Sequence, residues 1–105
     1  MGVEAGDTIN GMSRLDKLIS RLLAGNADQT FRFDALCALL NGLGFVSRHG
    51  GGSHRIFYRD GIPQILNLQP RPDGTAKPYQ VRQARQIILR YRLAIAPDPE
   101  APDEP

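Results

Sequence analysis

The 105-residue sequence contains one cysteine, two histidines and no tryptophan. A single thiol cannot form an internal disulfide, so a disulfide-stabilised secreted fold is excluded and a cytoplasmic location is expected. The N-terminal residues also lack the basic start and apolar stretch of a secretory signal, and no apolar run is long enough to cross a bilayer. The two histidines have no cysteine pair or carboxylate cluster beside them, so no metal site is expected.

Acidic residues are scarce in the middle of the chain and concentrated at its C-terminal end. After Leu93 there are four carboxylates and no cation, whereas residues 30–93 carry ten Lys or Arg against three Asp, a net charge of +7. An excess of this size favours a polyanionic partner, of which nucleic acid is the commonest. A basic surface that only maintains solubility has the same composition, so charge alone leaves both interpretations open.

The hydrophobic periodicity predicts helix, helix, three antiparallel strands and helix, in that order. Ser13 and Asp16 form a capping box for the first helix, Gly25 ends it, and Asp60-Gly61 marks a hairpin. This order predicts an α+β fold in which helices cover one face of a three-stranded sheet and leave the other face free. The predicted helices cover residues 13–24, 33–43 and from about Pro78 onward, and the predicted strands cover 45–49, 54–59 and 62–68.

The same patterns set the expected domain boundaries. Residues 1–11 have no periodic apolar pattern and are expected to be disordered. The acidic, proline-rich tail at 94–105 is also expected to be disordered, because it cannot build a core. One domain is therefore expected at residues 12–93. Within it, Cys37 lies beside the apolar stripe of the second helix and is expected to be a small core residue rather than a nucleophile.

The stretch that carries chemistry is Gly50-Gly51-Gly52-Ser53-His54-Arg55. A histidine titrates near neutral pH, and the glycines before it allow a sharp turn and close approach of a ligand. Strand alternation places His54, Ile56 and Tyr58 on one face and Arg55, Phe57 and Arg59 on the other. Each face contains an aromatic residue, so the sequence leaves open which face is buried.

A lone histidine in a small protein is more often structural than catalytic. However, a histidine beside arginines has the groups needed to cleave RNA without a metal. The ribose 2′-OH is a nucleophile already adjacent to the scissile phosphate, so the protein need only move a proton and stabilise charge.

Three segments, in this order and spacing, resemble the HicA toxins of bacterial toxin–antitoxin systems: residues 52–57, 67–70 and 77–83. They read Gly-Ser-His-Arg-Ile-Phe, Asn-Leu-Gln-Pro and Lys-Pro-Tyr-Gln-Val-Arg-Gln. The apolar helix that ends in Leu43-Gly44-Phe45 also resembles the opening helix of that family. The resemblance covers about residues 31–93.

This resemblance implies a double-stranded-RNA-binding-like fold (helix, three-stranded antiparallel sheet, helix), here with an additional N-terminal helix. It implies an endoribonuclease toxin that cleaves mRNA and inhibits translation without a metal or other cofactor, with His54 as general acid or base. A cognate HicB-type antitoxin that covers this histidine is the implied protein partner. The candidate substrate-binding residues are Gly52, Ser53, Arg55, Arg59, Lys77, Arg82 and Arg85.

The second proton-transfer group is left open among His49, Tyr58, Lys77, Tyr79 and water. Two other functions fit the same composition. A non-catalytic RNA-binding module needs the basic surface but not His54, so His54→Ala leaves its activity intact. A protein-interaction domain shows no salt-dependent affinity for RNA.

Overall fold

The computed structural model describes residues 13–93, so the predictions for residues 1–11 and 94–105 lie outside the described part. The three helices are α1 (Arg14–Ala24), α2 (Phe33–Gly42) and α3 (Pro78–Tyr91). The three strands are β1 (Val46–His49), β2 (Arg55–Arg59) and β3 (Ile62–Leu68). The predicted α+β order is confirmed, with the double-stranded-RNA-binding-like arrangement of helix, sheet and helix preceded by one additional helix.

Helix α1 begins at the predicted capping box. The Ser13 Oγ accepts a hydrogen bond from the Asp16 backbone N–H, and the Asp16 carboxylate accepts one from the Ser13 N–H, each at 3.1 Å. The helix ends at Gly25, whose φ of 77° is the left-handed conformation that glycine adopts without strain. Both ends of α1 are thus set by local sequence.

Helix α2 closes with the hydrogen bonds of a Schellman motif. The Phe45 N–H donates to the Leu40 carbonyl and the Gly44 N–H donates to the Asn41 carbonyl, each at 3.0 Å, and Gly44 has a φ of 93°. Because the Phe45 N–H completes the helix end, strand β1 begins one residue later than predicted, at Val46.

The sheet has the order β1-β2-β3 and both strand pairs are antiparallel. Phe57 at the centre of β2 is fully buried and pairs with the buried Leu66 on β3. The Phe57 face of the sheet therefore packs against the helices, which answers the question that the sequence left open. We call the opposite face, which carries Val46, Ile56, Tyr58 and Ile65, the outer face.

The core lies between the helix-facing side of the sheet and the three helices. Cys37 is 6% exposed within it, as predicted, and burial raises the pKa of its thiol to about 11. Helix α1 and the segment after it contribute Ile19, Leu22 and Phe31 to the core. Its other buried members are Phe33, Leu36, Leu39, Leu40, Phe45, Phe57, Ile62, Leu66, Leu68, Ala76, Val81, Ala84, Ile87 and Ile88.

An ion pair fastens α3 to the segment after α1. The Arg85 guanidinium donates to both carboxylate oxygens of Asp28 at 2.9 Å and to the Leu22 carbonyl at 3.0 Å. The two side chains are only 17% and 14% exposed. Chiefly through this hydrogen bond, the pKa of Asp28 is lowered and that of Arg85 is raised. Among residues 13–93, no helix is long and apolar enough to span a membrane.

Candidate active site

The glycine segment forms a tight hairpin loop between β1 and β2. The Gly50 N–H donates to the His54 carbonyl at 3.1 Å, and the His54 N–H donates to the Gly51 carbonyl at 3.0 Å. Gly51 and Gly52 have φ values of 102° and 58°, which side-chain-bearing residues rarely adopt. Because its own N–H closes the turn, His54 precedes strand β2 rather than opening it as predicted.

The His54 side chain lies on the outer face of the sheet. Val46 pairs with Tyr58 and Arg48 pairs with Ile56, and the same register extends to Gly50 opposite His54. A Cβ atom added at Gly50 would lie 3.5 Å from the His54 Cβ and 2.8 Å from the Ile56 Cδ1. These contacts place Gly50, His54 and Ile56 on one face, and they show that a side chain at position 50 would require the Ile56 side chain to move.

A backbone carbonyl orients the His54 ring. The ring Nδ1 lies 3.3 Å from the Gly51 carbonyl oxygen, which also accepts the His54 backbone N–H. A carbonyl oxygen only accepts hydrogen bonds, so this contact is made when Nδ1 carries the proton. In that tautomer of the neutral ring, Nε2 has the free lone pair and is the atom that can accept a proton.

The end of β3 brings Lys77 to the same end of the sheet. Because Arg55 pairs with Leu68, Gln69 follows β3 at the end of the sheet where His54 precedes β2. The Lys77 ammonium donates to the Gln69 side-chain oxygen at 3.1 Å. An ammonium group therefore lies at the same end of the sheet as His54.

Gln80 holds the start of α3 against the end of β3. Its side chain, in a residue only 4% exposed, donates to the Asn67 carbonyl at 3.0 Å and accepts from the Gln69 N–H at 3.2 Å. The N-terminus of a helix carries partial positive charge. The first turn of α3 therefore adds to the positive potential that Lys77 creates at this end of the sheet.

The remaining predicted residues fall into separate groups. Gly52 and Ser53 are exposed at the loop tip beside His54. Arg55 and Arg59 alternate to the helix-facing side of β2, and the Arg59 guanidinium group packs against Gly44. Arg82 and Arg85 lie near Asp28, and both lower its pKa. Gly52, Ser53 and Lys77 thus lie at the same end of the sheet as His54, whereas Arg85 is held in the ion pair with Asp28.

Sequence reasoning gave no site role to Arg48, and it included Gly51, Gln69 and Gln80 only as members of the segments 50–55, 67–70 and 77–83. Counting the hairpin register from the Gly50–His54 closure identifies Arg48, which lies diagonally across from His54. Within residues 13–93, no three His, Cys, Asp or Glu side chains are grouped so that they could hold a metal ion.

A family model described as "HicA toxin of bacterial toxin-antitoxin" matches residues 33–90, which are 58 of the 105 residues. The chain belongs to the HicA toxin family. The match begins at the first residue of α2 and ends in the last turn of α3, so it includes the whole sheet and the His54 loop. Membership of HicA, a family of toxins from toxin–antitoxin pairs, implies a cognate antitoxin as partner. No curated protein and no solved structure gave a significant match to the chain.

Proposed function

We propose that this chain is a metal-independent endoribonuclease that cleaves mRNA in the cytoplasm and thereby inhibits translation, with His54 as its catalytic residue. The observation that carries the proposal is the setting of His54. Its side chain lies on the face opposite the helices, its Nδ1 contacts the Gly51 carbonyl, and Lys77, bonded to Gln69, lies at the same end of the sheet. Family membership supports the toxin function.

In the proposed reaction, His54 Nε2 removes the proton of a ribose 2′-OH. The 2′-oxygen then forms a bond to the adjacent phosphorus, the bond from phosphorus to the 5′-oxygen breaks, and the leaving oxygen takes up a proton. The products are a 2′,3′-cyclic phosphate and a 5′-hydroxyl end. DNA lacks the 2′-OH, so the chain would cleave RNA alone.

Lys77 is suited to stabilise the negative charge that develops on the phosphate. Its ammonium donates to the uncharged side chain of Gln69 at the end of the sheet where His54 lies, so its charge is available to an anion bound there. Lys77 and Tyr79, both at the start of α3, and water are the candidates for supplying the second proton, whereas Tyr58 lies four residues further along the chain from His54. By strand alternation, His49 lies on the opposite face of the sheet from His54 and is a poor candidate for this step.

The cognate HicB-type antitoxin would neutralise the toxin by covering the outer face at His54. A non-catalytic RNA-binding module is the second candidate function, because the basic surface alone would support it. Residues 13–93 contain 13 Lys or Arg and five Asp or Glu, a net charge of +8 (13 − 5). Salt-dependent RNA affinity is expected in both cases.

Replacing His54 tests the catalytic proposal. Positioned general acid–base groups contribute about 10²–10⁴-fold to rate, so His54→Ala should lower RNA cleavage by at least about 100-fold and abolish growth arrest on induction. His49→Ala is the matched control, and it should cleave and arrest growth like the wild type. Cleavage should be assayed with excess chelator and should persist for the wild type.

Other outcomes separate the alternatives. If His54→Ala cleaves RNA and arrests growth like the wild type, His54 is not catalytic. If neither protein cleaves RNA but both bind it with an affinity that falls as salt rises, the RNA-binding module is correct. If neither shows salt-dependent affinity for RNA, the chain is a protein-interaction domain.

A further inference from the structure

The outer face exposes large apolar side chains beyond His54. Tyr58, Val46 and Ile65 are 40%, 52% and 59% exposed, respectively, and Val46 pairs directly with Tyr58. No helix of the described part covers this face, because all three pack on the opposite side with Phe57. The surface is therefore open to a partner.

Tyr58 shares its face and strand with His54. His54, Ile56 and Tyr58 follow each other at every second residue along the central strand. Four residues at roughly 3.3 Å each place the two positions about 13 Å apart. An RNA cleaved at His54 is a polymer that must continue past this histidine, and one direct route runs along the outer face of β2 toward Tyr58.

Charged groups accompany this route. Arg48 lies opposite Ile56, midway between His54 and Tyr58. At the far end, Gly44, Val46, Tyr58, Arg59 and Asp60 line a shallow hollow of about 490 Å³. The Asp60 carboxylate would repel a phosphate, so the hollow suits an uncharged base, with the backbone phosphates toward Arg48. An exposed aromatic ring with a cation beside it is the pattern by which proteins bind single-stranded nucleic acid.

From this arrangement we propose that Tyr58 is a base-stacking subsite for single-stranded RNA. The RNA runs along the outer face of β2 from the scissile phosphate at His54 to a base stacked on the Tyr58 ring, with Arg48 contacting the phosphates between them. The proposal rests on the proposed function, because His54 locates the scissile phosphate. It adds a binding site that is separate from the catalytic groups.

Binding of an uncleaved RNA tests this subsite. All variants carry His54→Ala so that cleavage does not interfere, and the probe is a fluorescently labelled, unstructured, mixed-sequence single-stranded RNA followed by anisotropy. Stacking of one base is worth about 1–3 kcal/mol, so Tyr58→Ala should weaken binding by roughly 5- to 150-fold. Tyr58→Phe should bind like the parent, and Tyr58→Leu, which keeps apolar bulk but has no aromatic ring, should weaken binding nearly as much as alanine.

Leu89→Ala is the matched control, since Leu89 is 59% exposed on α3, and it should not change RNA affinity. Thermal unfolding of each variant confirms that the fold is retained, as expected for exposed positions. If Tyr58→Leu binds RNA as tightly as Tyr58→Phe, stacking is not the interaction and the proposal is wrong.

If all Tyr58 variants bind RNA like the parent but the antitoxin no longer neutralises the corresponding toxins with His54 intact, the surface belongs to the protein partner. That result also overturns the proposal. The catalytic role of His54 is measured separately by cleavage, so failure of the proposed function and failure of the Tyr58 subsite give different results.

Discussion

At the scale of single residues, the site depends on one backbone conformation. Gly51 has a φ of 102°, and its carbonyl oxygen accepts both the backbone N–H and the ring N–H of His54. The neighbouring Gly52 also has a positive φ, but no contact of its carbonyl with the ring is seen. Both glycines therefore need a positive φ, but only the Gly51 carbonyl contacts His54.

This difference gives a prediction. A Cβ added at Gly51 or Gly52 meets nothing within 4 Å, so alanine at either position brings backbone strain of about 1–3 kcal/mol without a collision. If Gly51 orients the ring, Gly51→Ala should reduce RNA cleavage by about 10-fold or more at saturating RNA, and Gly52→Ala should reduce it much less. Equal losses in the two variants, measured as kcat with folding checked by circular dichroism, would show that the Gly51 carbonyl does not position His54.

Residue roles were only partly readable from the sequence. The caps of α1 and the buried Cys37 follow from local patterns, and each was predicted. The buried face of β2 was not, because Phe57 and Tyr58 are adjacent aromatic residues and only packing against the helices distinguishes them. Arg85 was predicted to bind substrate, and its ion pair was not foreseen, because its partner Asp28 lies 57 positions away and no local pattern connects the two.

At the scale of elements, the Asp28–Arg85 pair connects α3 to the segment that follows α1. Asp28 accepts two hydrogen bonds from a charged donor, and each side chain is largely shielded from water. Bidentate pairs of this kind are stronger than surface ion pairs because both geometry and charge contribute. The Arg85 bond to the Leu22 carbonyl extends the same connection to the end of α1.

The pair should make stability depend on pH in the acid range. The pKa of Asp28 is lowered by folding, so its contribution is fully present above the unfolded pKa of about 3.9 and is lost as pH falls through the lower folded value. Asp28→Asn should lower the free energy of unfolding by about 1.5–3 kcal/mol at pH 7, the range for hydrogen bonds to charged groups.

Urea denaturation at pH 7 and near pH 2 measures this effect. The difference between wild type and Asp28→Asn should shrink at the lower pH, because pH 2 lies below the unfolded pKa and folding must then remove a proton from the wild-type carboxyl. Asp60→Asn is the control, since Asp60 is exposed in the β2–β3 turn and asparagine is equally suited to that turn. A difference that is the same at both pH values would contradict the assignment.

At the scale of the whole molecule, the segment that matches the family model does not include all the residues that form the buried core. The match begins at residue 33, whereas Ile19, Leu22 and Phe31 belong to the same buried cluster as the sheet residues. Leu22 and Phe31 are 0% and 1% exposed. The additional helix is therefore an integral part of the described domain.

A truncation tests this conclusion. Residues 33–90 alone would expose the surface that α1 and Phe31 cover, and each lost large apolar side chain costs about 2–5 kcal/mol, against a total stability of about 5–15 kcal/mol. This fragment should show no cooperative thermal transition, whereas residues 13–93 should unfold cooperatively. A cooperative transition of the shorter fragment at a similar temperature would show that α1 is dispensable.

Cys37 makes the opening of this core directly measurable. It is the only thiol of the chain and is 6% exposed, with a pKa raised to about 11. Its modification by a thiol reagent therefore requires both exposure and deprotonation, and the labelling rate under native conditions reports how often the core opens. A ligand that binds only the folded toxin, whether RNA or antitoxin, would slow this labelling in proportion to its occupancy. The protein thus contains its own site-specific probe of stability and binding, without any introduced residue.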